Sequence, residues 1–168
     1  MFKDIKKLSV IIPSIIGSEE REEIFKSFIT TIIKYKMLVI PGNGEKLISM
    51  VHVSDVVDFI SLIVEKSKFG IFNVAAAEPL TINEWIKYIL NELEIKNYRR
   101  FKIPIIILNF FAKITCYRFI AKEQILMLNQ SHTIDSSKAL SIGWKPNYNN
   151  KDIINGITRG VKNTLKKY

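Results

Sequence analysis

The residues of this chain whose side chains could do chemistry are few, and they lie near predicted turns and strand ends. His52 ends an apolar run and could titrate near neutral pH, or it could be a structural histidine held by a neighbour. Lys46 could place a single cation beside a ligand or be a solvated turn lysine, and Asn73 could contact a ligand or brace a loop. We assign these three positions to substrate binding, and we assign no catalytic residue.

Metal and thiol chemistry are not predicted. The single cysteine, Cys116, has no local histidine and no internal disulfide partner, and two histidines do not give metal-ligand spacing. We therefore expect no metal and a reducing, cytoplasmic setting. The apolar segment at residues 103–114 contains Pro104 and Asn109 and is too short to span a bilayer, so no membrane partner is expected.

The chain is basic, with 25 Lys and Arg against 16 Asp and Glu and a formal net charge of +9. This excess permits binding to nucleic acid, an anionic membrane or a phosphorylated ligand. The densest basic set comprises Lys96, Arg99, Arg100, Lys102, Lys113, Arg118 and Lys122. Because this set straddles an apolar segment and forms no continuous stripe, we interpret it as a solvated surface and expect no nucleic-acid partner.

Strands that alternate with helices must position these residues. Predicted strands cover residues 8–12, 37–40, 47–53, 71–75, 100–103 and 132–135. Predicted helices begin at an N-cap Ser18, at Ser54 and Asp55, and at a capping box formed by Thr81 and Glu84; others cover residues 105–114, 122–129 and 150–165. Trp85 and Trp144 lie in apolar patterns and are predicted core residues. The alternation predicts a single α/β domain with parallel strands.

Four segments of the chain resemble a known family. They are IIPSIIG at residues 11–17, PGNGEKLISMVHVSDVV at 41–57, GIFNVAAAEPLT at 70–81 and DSSKALSIGWKP at 135–146. In content and order they resemble the extended short-chain dehydrogenase/reductases, the NAD-dependent epimerase/dehydratase family. The resemblance implies the C-terminal part of a Rossmann-like parallel sheet plus a small substrate-binding lobe. Residues 1–80 would be the remnant of the sheet with an inserted substrate segment, and residues 81–168 mostly the lobe.

The same resemblance implies a function. Pro13 and Ser14 would contact the nicotinamide end of NAD or NADP, and His52 would face a small-molecule substrate such as a sugar derivative. However, Ile12 and Ile48 stand where the family usually has arginines, and an isoleucine cannot supply the guanidinium fork that grips a diphosphate. The sequence therefore predicts the substrate-binding part of an epimerase, dehydratase or reductase. It does not predict the arginines that would bind the diphosphate of a nucleotide sugar.

Two features that the family uses for catalysis are absent from the sequence. No G-x-x-G-x-x-G or G-x-G-x-x-G turn holds a pyrophosphate, and no helical Tyr-x-x-x-Lys pair supplies an acid or base. Tyr98 and Lys102 have that spacing but fall in a predicted strand, where residues four apart lie about 13 Å from each other. We therefore expect this chain to be inactive alone.

The resemblance places Met1 just after the point where the tyrosine-lysine helix would end, which fits a split gene, a decayed gene or a misplaced start. The expected partner is an N-terminal cofactor-binding chain, or a second copy through the exposed sheet edge. The alternative function is a non-catalytic binding module or structural subunit whose basic surface binds nucleic acid or an acidic protein.

Overall fold

The computed structural model of the protein describes residues 7–21, 23–114 and 130–166. The strands are β1 (Ser9–Pro13), β2 (Ile15–Gly17), β3 (Met37–Pro41), β4 (Leu47–Ile48), β5 (Met50–His52), β6 (Gly70–Val74), β7 (Leu80–Thr81) and β8 (Arg99–Ile103). The helices are α1 (Glu23–Tyr35), α2 (Val53–Glu65), α3 (Ile82–Glu92), α4 (Ile105–Ile114), α5 (Ser137–Ser141) and α6 (Asn150–Lys166).

Three of the four described strand pairs are parallel. β1 pairs with β6 so that Ile11 lies opposite Phe72, β2 pairs with β5, and β3 pairs with β8. The fourth pair, β4 with β7, is antiparallel. Parallel strands need long connections, and the helices between the paired strands supply them. The predicted α/β fold with parallel strands is confirmed.

Two apolar clusters form the core. In the larger one, α1, α3 and α6 pack together through fully buried residues such as Ile32, Ile89 and Ile154. In the smaller one, Phe59 of α2 packs edge-on against Phe72 of β6 and against Trp144. Trp85 and Trp144 are buried, as predicted.

Several local predictions are confirmed because short-range chemistry decides them. Thr81 and Glu84 form the predicted capping box, with Thr81 Oγ1 accepting from the Glu84 amide and Glu84 accepting from the Thr81 amide. α4 has the predicted bounds, and β8 and α6 differ from the prediction by one residue. The predicted helix at residues 122–129 and Cys116 lie outside the described residues.

The predicted start of the first helix at Ser18 is wrong. α1 begins at Glu23, and Ser18 is buried, with its carbonyl accepting from the Arg21 amide. The reason is long-range packing, because a Cβ on Gly17 would come within 2.8 Å of side chains of α6. Docking of this segment against α6 therefore keeps residue 18 out of a helix.

The predicted strand over residues 47–53 is also corrected. It breaks into β4 and β5 at Ser49, and α2 begins at Val53 with His52 as its N-cap, so Ser54 and Asp55 do not open the helix. Residues 132–135 form an isolated bridge between His132 and Ile48 in place of the predicted strand.

Candidate functional site

A cavity of about 420 Å³ opens at the carboxyl end of β1. Its lining consists of Pro13, Ser14, Ile15, Ser49, Ser131, His132, Thr133 and Ile134. Two of these, Pro13 and Ser14, are the residues that the sequence assigns to cofactor binding. Their role in cofactor binding stays a prediction.

The wall that contains Pro13 and Ser14 is fixed by the parallel pairing of β1 with β6. Pro13 lies opposite Val74, and the Ser14 amide extends the ladder by donating to the Val74 carbonyl at 2.9 Å. Both strands therefore end at the same edge. In open α/β sheets, ligands bind beyond the carboxyl ends of the strands, so the position of this cavity suits a ligand.

The facing wall is a segment far along the chain that is tied to β4 by backbone bonds. The His132 amide donates to the Leu47 carbonyl at 2.8 Å, and the His132 carbonyl accepts from the Ser49 amide at 2.9 Å. Ser131 Oγ accepts from the Leu47 amide at 3.2 Å. These bonds hold the His132 side chain in the cavity lining, a placement that sequence reasoning missed because it depends on pairing between distant segments.

Two polar atoms of the lining residues are buried and have no hydrogen-bond partner among the residues that the structure describes. They are Ser14 Oγ and His132 Nε2. Leaving a buried polar atom unpaired costs about 1–3 kcal/mol, and such atoms in folded proteins usually have a partner. A polar ligand group between the two walls could bond to either atom, which makes this cavity the candidate binding site.

The other three predicted substrate residues are not in the lining of this cavity. His52 caps α2, with Nδ1 accepting from the Ser54 amide at 3.2 Å, and its ring stacks on Tyr148 with centroids 3.8 Å apart. Asn73 lies opposite Ile12 in the β1–β6 pair, and Lys46 is half-buried just before β4. Their substrate roles stay predictions.

Asp55 has a different role from the predicted one. Its carboxylate is fully buried and accepts backbone amides of the loop before α6, from Asn147 at 2.8 Å and Tyr148 at 3.2 Å. Its own carbonyl accepts from Trp144 Nε1 at 3.2 Å. Asp55 therefore ties α2 to a loop about ninety residues away, and it does not cap its own helix.

The element DSSKA at residues 135–139 braces the carboxyl end of β6. Ser136 Oγ accepts from the Ala75 amide at 2.9 Å, and Lys138 Nζ donates to the Ile71 carbonyl at 2.8 Å above the Phe72 ring. Hydrogen bonds from the Ser137 side chain and backbone lower the pKa of Asp135 below its ordinary value. This segment therefore braces β6, the strand that pairs with β1, whose carboxyl end lies at the cavity.

Three further features bear on function. Ile48 is buried in β4, so it contributes apolar contact where the resemblance would place an arginine. Tyr98 directly precedes β8 and Lys102 lies within it, so the extended backbone between them rules out the helical pairing needed for acid–base catalysis. Across residues 7–21, 23–114 and 130–166, no helix is long and apolar enough to cross a membrane, and no group of three acidic, histidine or cysteine residues could hold a metal.

Comparison with protein families gives one match. The model of the NAD dependent epimerase/dehydratase family matches residues 3–75. This range contains β1, β6 and the cavity residues Pro13 and Ser14. A search among curated proteins found no match to the sequence.

Solved structures share the fold. UDP-glucuronic acid 4-epimerase from Bacillus cereus, in complex with UDP-glucuronic acid and NAD, matches with a TM-score of 0.69 and 15% identity over 97% of this chain and 48% of that one. dTDP-glucose 4,6-dehydratase from Bacillus anthracis, in complex with NAD, matches with a TM-score of 0.68 and 15% identity over 95% and 46%. The protein RMD from Pseudomonas aeruginosa, complexed with NADPH, matches with a TM-score of 0.66 and 14% identity over 94% and 48%.

This chain spans less than half the length of these solved structures. At such identities the likeness shows the fold, which is Rossmann-like. Residues 3–75 thus match the NAD-dependent epimerase/dehydratase family, within a chain that has the α/β fold of structurally known epimerases and dehydratases.

Proposed function

We propose that this chain is the C-terminal, substrate-binding part of an NAD(P)-dependent epimerase/dehydratase or reductase. The observation that carries the proposal is the cavity at the carboxyl end of β1, because it combines family-like residues with two unpaired polar atoms. In this proposal residues 1–80 belong mainly to the cofactor-binding sheet and residues 81–168 mainly to the substrate lobe.

The residues present suit only one end of a dinucleotide. Pro13 and Ser14 line the cavity, and the buried Ser14 Oγ could bond to a carboxamide or ribose group of NAD or NADP. The sequence has no Gly-rich turn to hold the pyrophosphate. The adenine and pyrophosphate portions would therefore depend on a cofactor-binding head outside this sequence.

The substrate in this proposal is a small polar molecule of the sugar-derivative class. His132 and Ser131 contribute polar atoms to the cavity, and Lys46, His52 and Asn73 are the further contacts that the sequence assigns. A solved neighbour holds UDP-glucuronic acid. Because Ile48 supplies no guanidinium, we do not extend the proposal to a nucleotide sugar.

The apolar surface of the chain supports a partner. β1 is paired with β6 only, so one edge of β1 has no neighbour among the described strands. Val10, Ile12 and Ile71 are 39%, 44% and 59% exposed on the face of this pair that lies away from α2. Exposed apolar side chains beside an open edge favour association with another chain.

Helix α2 carries a second exposed apolar stripe. Val53, Val57, Ile60 and Val64 recur at the spacing of one helical face, and Val64 is 72% exposed. The opposite face of the same helix packs in the core through Val56, Phe59 and Ile63. We propose that a cofactor-binding head covers the stripe and the edge of β1, and that copies of this chain self-associate without it.

The test is oxidoreductase activity with and without such a head. The nucleotide sequence immediately upstream of Met1 is determined first, and any segment there that encodes a Gly-rich turn and Tyr-x-x-x-Lys is co-expressed with the chain. Substrate conversion is followed by product analysis as well as by cofactor absorbance, because epimerisation and dehydration consume no net NAD(H) or NADP(H). We expect no turnover of a sugar-derivative substrate by the purified 168-residue protein and turnover by the complex. Turnover by the 168-residue protein alone would overturn the proposal.

A matched pair of serine variants tests the cavity itself. In the complex, Ser14→Ala removes one hydrogen bond, worth about 1 kcal/mol, and should weaken cofactor binding roughly fivefold. Ser141→Ala, on α5 and outside the cavity lining, should leave it unchanged. Equal cofactor affinities in the two variants would show that Ser14 does not contact the cofactor.

A further inference from the structure

A second cavity, of about 750 Å³, has no part in the proposed function. It is formed by α3, the loop that follows α3, β8 and residue 45. We call it the basic cleft, because its lining includes Lys87, Lys96, Arg100 and Lys102 against the single carboxylate of Glu45. Its volume falls in the range of small-molecule sites.

The periodicity of two elements directs these side chains into the cleft. Arg100 and Lys102 alternate along β8 and therefore share one face of the strand, Tyr98 lines the cleft just before the strand begins, and Arg99 faces the other way. Residues 83, 86, 87, 90 and 91 recur at the spacing of one helical face of α3. The cations thus come from two regular elements with fixed backbones.

Arg100 is held in place by an amide hub at Asn83. Arg100 Nη2 donates to Asn83 Oδ1 at 2.8 Å, and Asn83 Nδ2 donates to Glu45 Oε1 at 2.6 Å and to the Asn43 carbonyl at 3.0 Å. The Asn83 amide also donates to the Gly44 carbonyl. The Glu45 carboxylate therefore accepts from the Asn83 side chain and not from Arg100. The Arg100 guanidinium keeps further N–H donors that a ligand could accept from.

Most of the cleft cations have no carboxylate partner among the described residues, and the exception is Lys87, because the pKa of Glu84 is lowered by hydrogen bonds from Thr81 and also by the Lys87 charge. In the part of the chain that the structure describes, salt bridges join Arg159 to Glu19 and Glu92, and none engages a lysine or arginine of the cleft. The floor is apolar, with Ile86 and Leu90 buried and Ile95 half-buried, and Tyr98 is 40% exposed at its wall. Cations above an apolar and aromatic floor suit a ligand that has both an anionic group and a ring.

We propose that the basic cleft binds an organic phosphate with a ring-bearing body, the chemical class of nucleoside diphosphates. Arg100 and Lys102, two residues apart on one strand face, are about 6.6 Å apart at Cα and can both reach one diphosphate. Charge-assisted bonds to phosphate oxygens are the strong contacts that arginine supplies. This inference is independent of the proposed function, since the cleft shares no lining residue with the cavity at β1.

The experiment is calorimetric titration of the purified 168-residue protein with ADP, inorganic pyrophosphate and adenosine as probes. We expect ADP to bind at least tenfold more tightly than either pyrophosphate or adenosine. Arg100→Gln should weaken ADP binding at least tenfold, and Arg99→Gln, the same change on the opposite face of β8, less than twofold. Lys102→Gln breaks no side-chain hydrogen bond within the described part of the chain and should weaken ADP binding several-fold.

Three results would overturn the proposal. Equal losses in Arg99→Gln and Arg100→Gln would show a diffuse surface charge. Pyrophosphate binding as tightly as ADP would show that the ring makes no contact. Tighter binding of a single-stranded oligonucleotide than of ADP, with a steep salt dependence, would show a nucleic-acid surface instead.

Discussion

The buried carboxylate of Asp55 gives the sharpest prediction about stability. Its two oxygens accept the amides of Asn147 and Tyr148, which joins the start of α2 to the loop before α6. Hydrogen bonds to a charged group are worth about 1.5–3 kcal/mol each. Asp55→Ala removes both and leaves the two partly buried amides unpaired, so we expect the free energy of unfolding to fall by about 3–5 kcal/mol.

Asp55→Asn separates the two bonds. The amide oxygen can still accept from the Asn147 amide, but its NH₂ group would face the Tyr148 amide as a second donor, so one bond is lost. We expect this variant to lose about 2 kcal/mol. The matched control is Asp58→Asn, one turn along α2, where an exposed carboxylate accepts from the Asn147 side chain at 3.2 Å. The control should lose less than about 0.5 kcal/mol.

The assay is urea unfolding followed by tryptophan fluorescence. Trp144 donates to the Asp55 carbonyl and packs on Phe59, so its emission reports on this junction. The free energy is extrapolated with the slope of each variant, because a changed slope would indicate loss of two-state unfolding. Equal losses for Asp55→Asn and Asp58→Asn would refute the argument that burial makes Asp55 a structural junction.

Three further changes should give defined results. Gly44→Ala should lower the free energy of unfolding by about 1–3 kcal/mol, because φ is +76° and the new Cβ would lie 2.6 Å from Asn83 Oδ1. In its control, Gly156→Ala, the nearest contact of the new Cβ is at 3.8 Å, so urea unfolding should show a neutral or stabilising effect. Hydrogen bonds from the backbone and then the side chain of the α3 cap lower the pKa of Glu84, so its stabilisation is present above an unfolded pKa of about 4.3 and lost as pH falls through the lower folded value. The melting temperatures of wild type and Glu84→Gln should therefore converge at acidic pH, and a gap that widens there would contradict the sign. In sedimentation velocity, Val57→Lys should reduce self-association and Leu140→Lys, an exposed apolar residue on another helix, should not.

Local chemistry made part of the fold predictable. The capping box at Thr81 and Glu84 depends on residues three apart, and both of its bonds are present. The start of α1 was not predictable in the same way, because Ser18 is withheld from the helix by contact of Gly17 with Ile153 and Ile157. Nothing in the sequence around Ser18 predicts this contact, because α6 lies far along the chain.

The candidate site shows the same division between local and long-range information. Pro13 closes a predicted strand and Ser14 follows it, and the family resemblance assigns both to cofactor contact, a role that stays a prediction. His132 enters the cavity through backbone bonds to Leu47 and Ser49, more than eighty residues earlier in the chain. Its segment was predicted as a strand from its own residues, and its partner was not. For that reason the second unpaired polar atom of the cavity could be found only in the structure.

The two cavities are formed by different parts of the chain, so we expect ligand binding at one to be independent of ligand binding at the other. The walls of the cavity at β1 belong to segments that start at residues 13, 49 and 131, beside a strand edge that we expect a head to cover. The basic cleft draws on residue 45 and the continuous stretch from residue 83 to 102, and the Asn83 hub locks these together. A head that binds at β1 could therefore change the first cavity and leave the second intact. Binding of ADP to the cleft should consequently have the same affinity with and without a head, whereas cofactor binding should require the head.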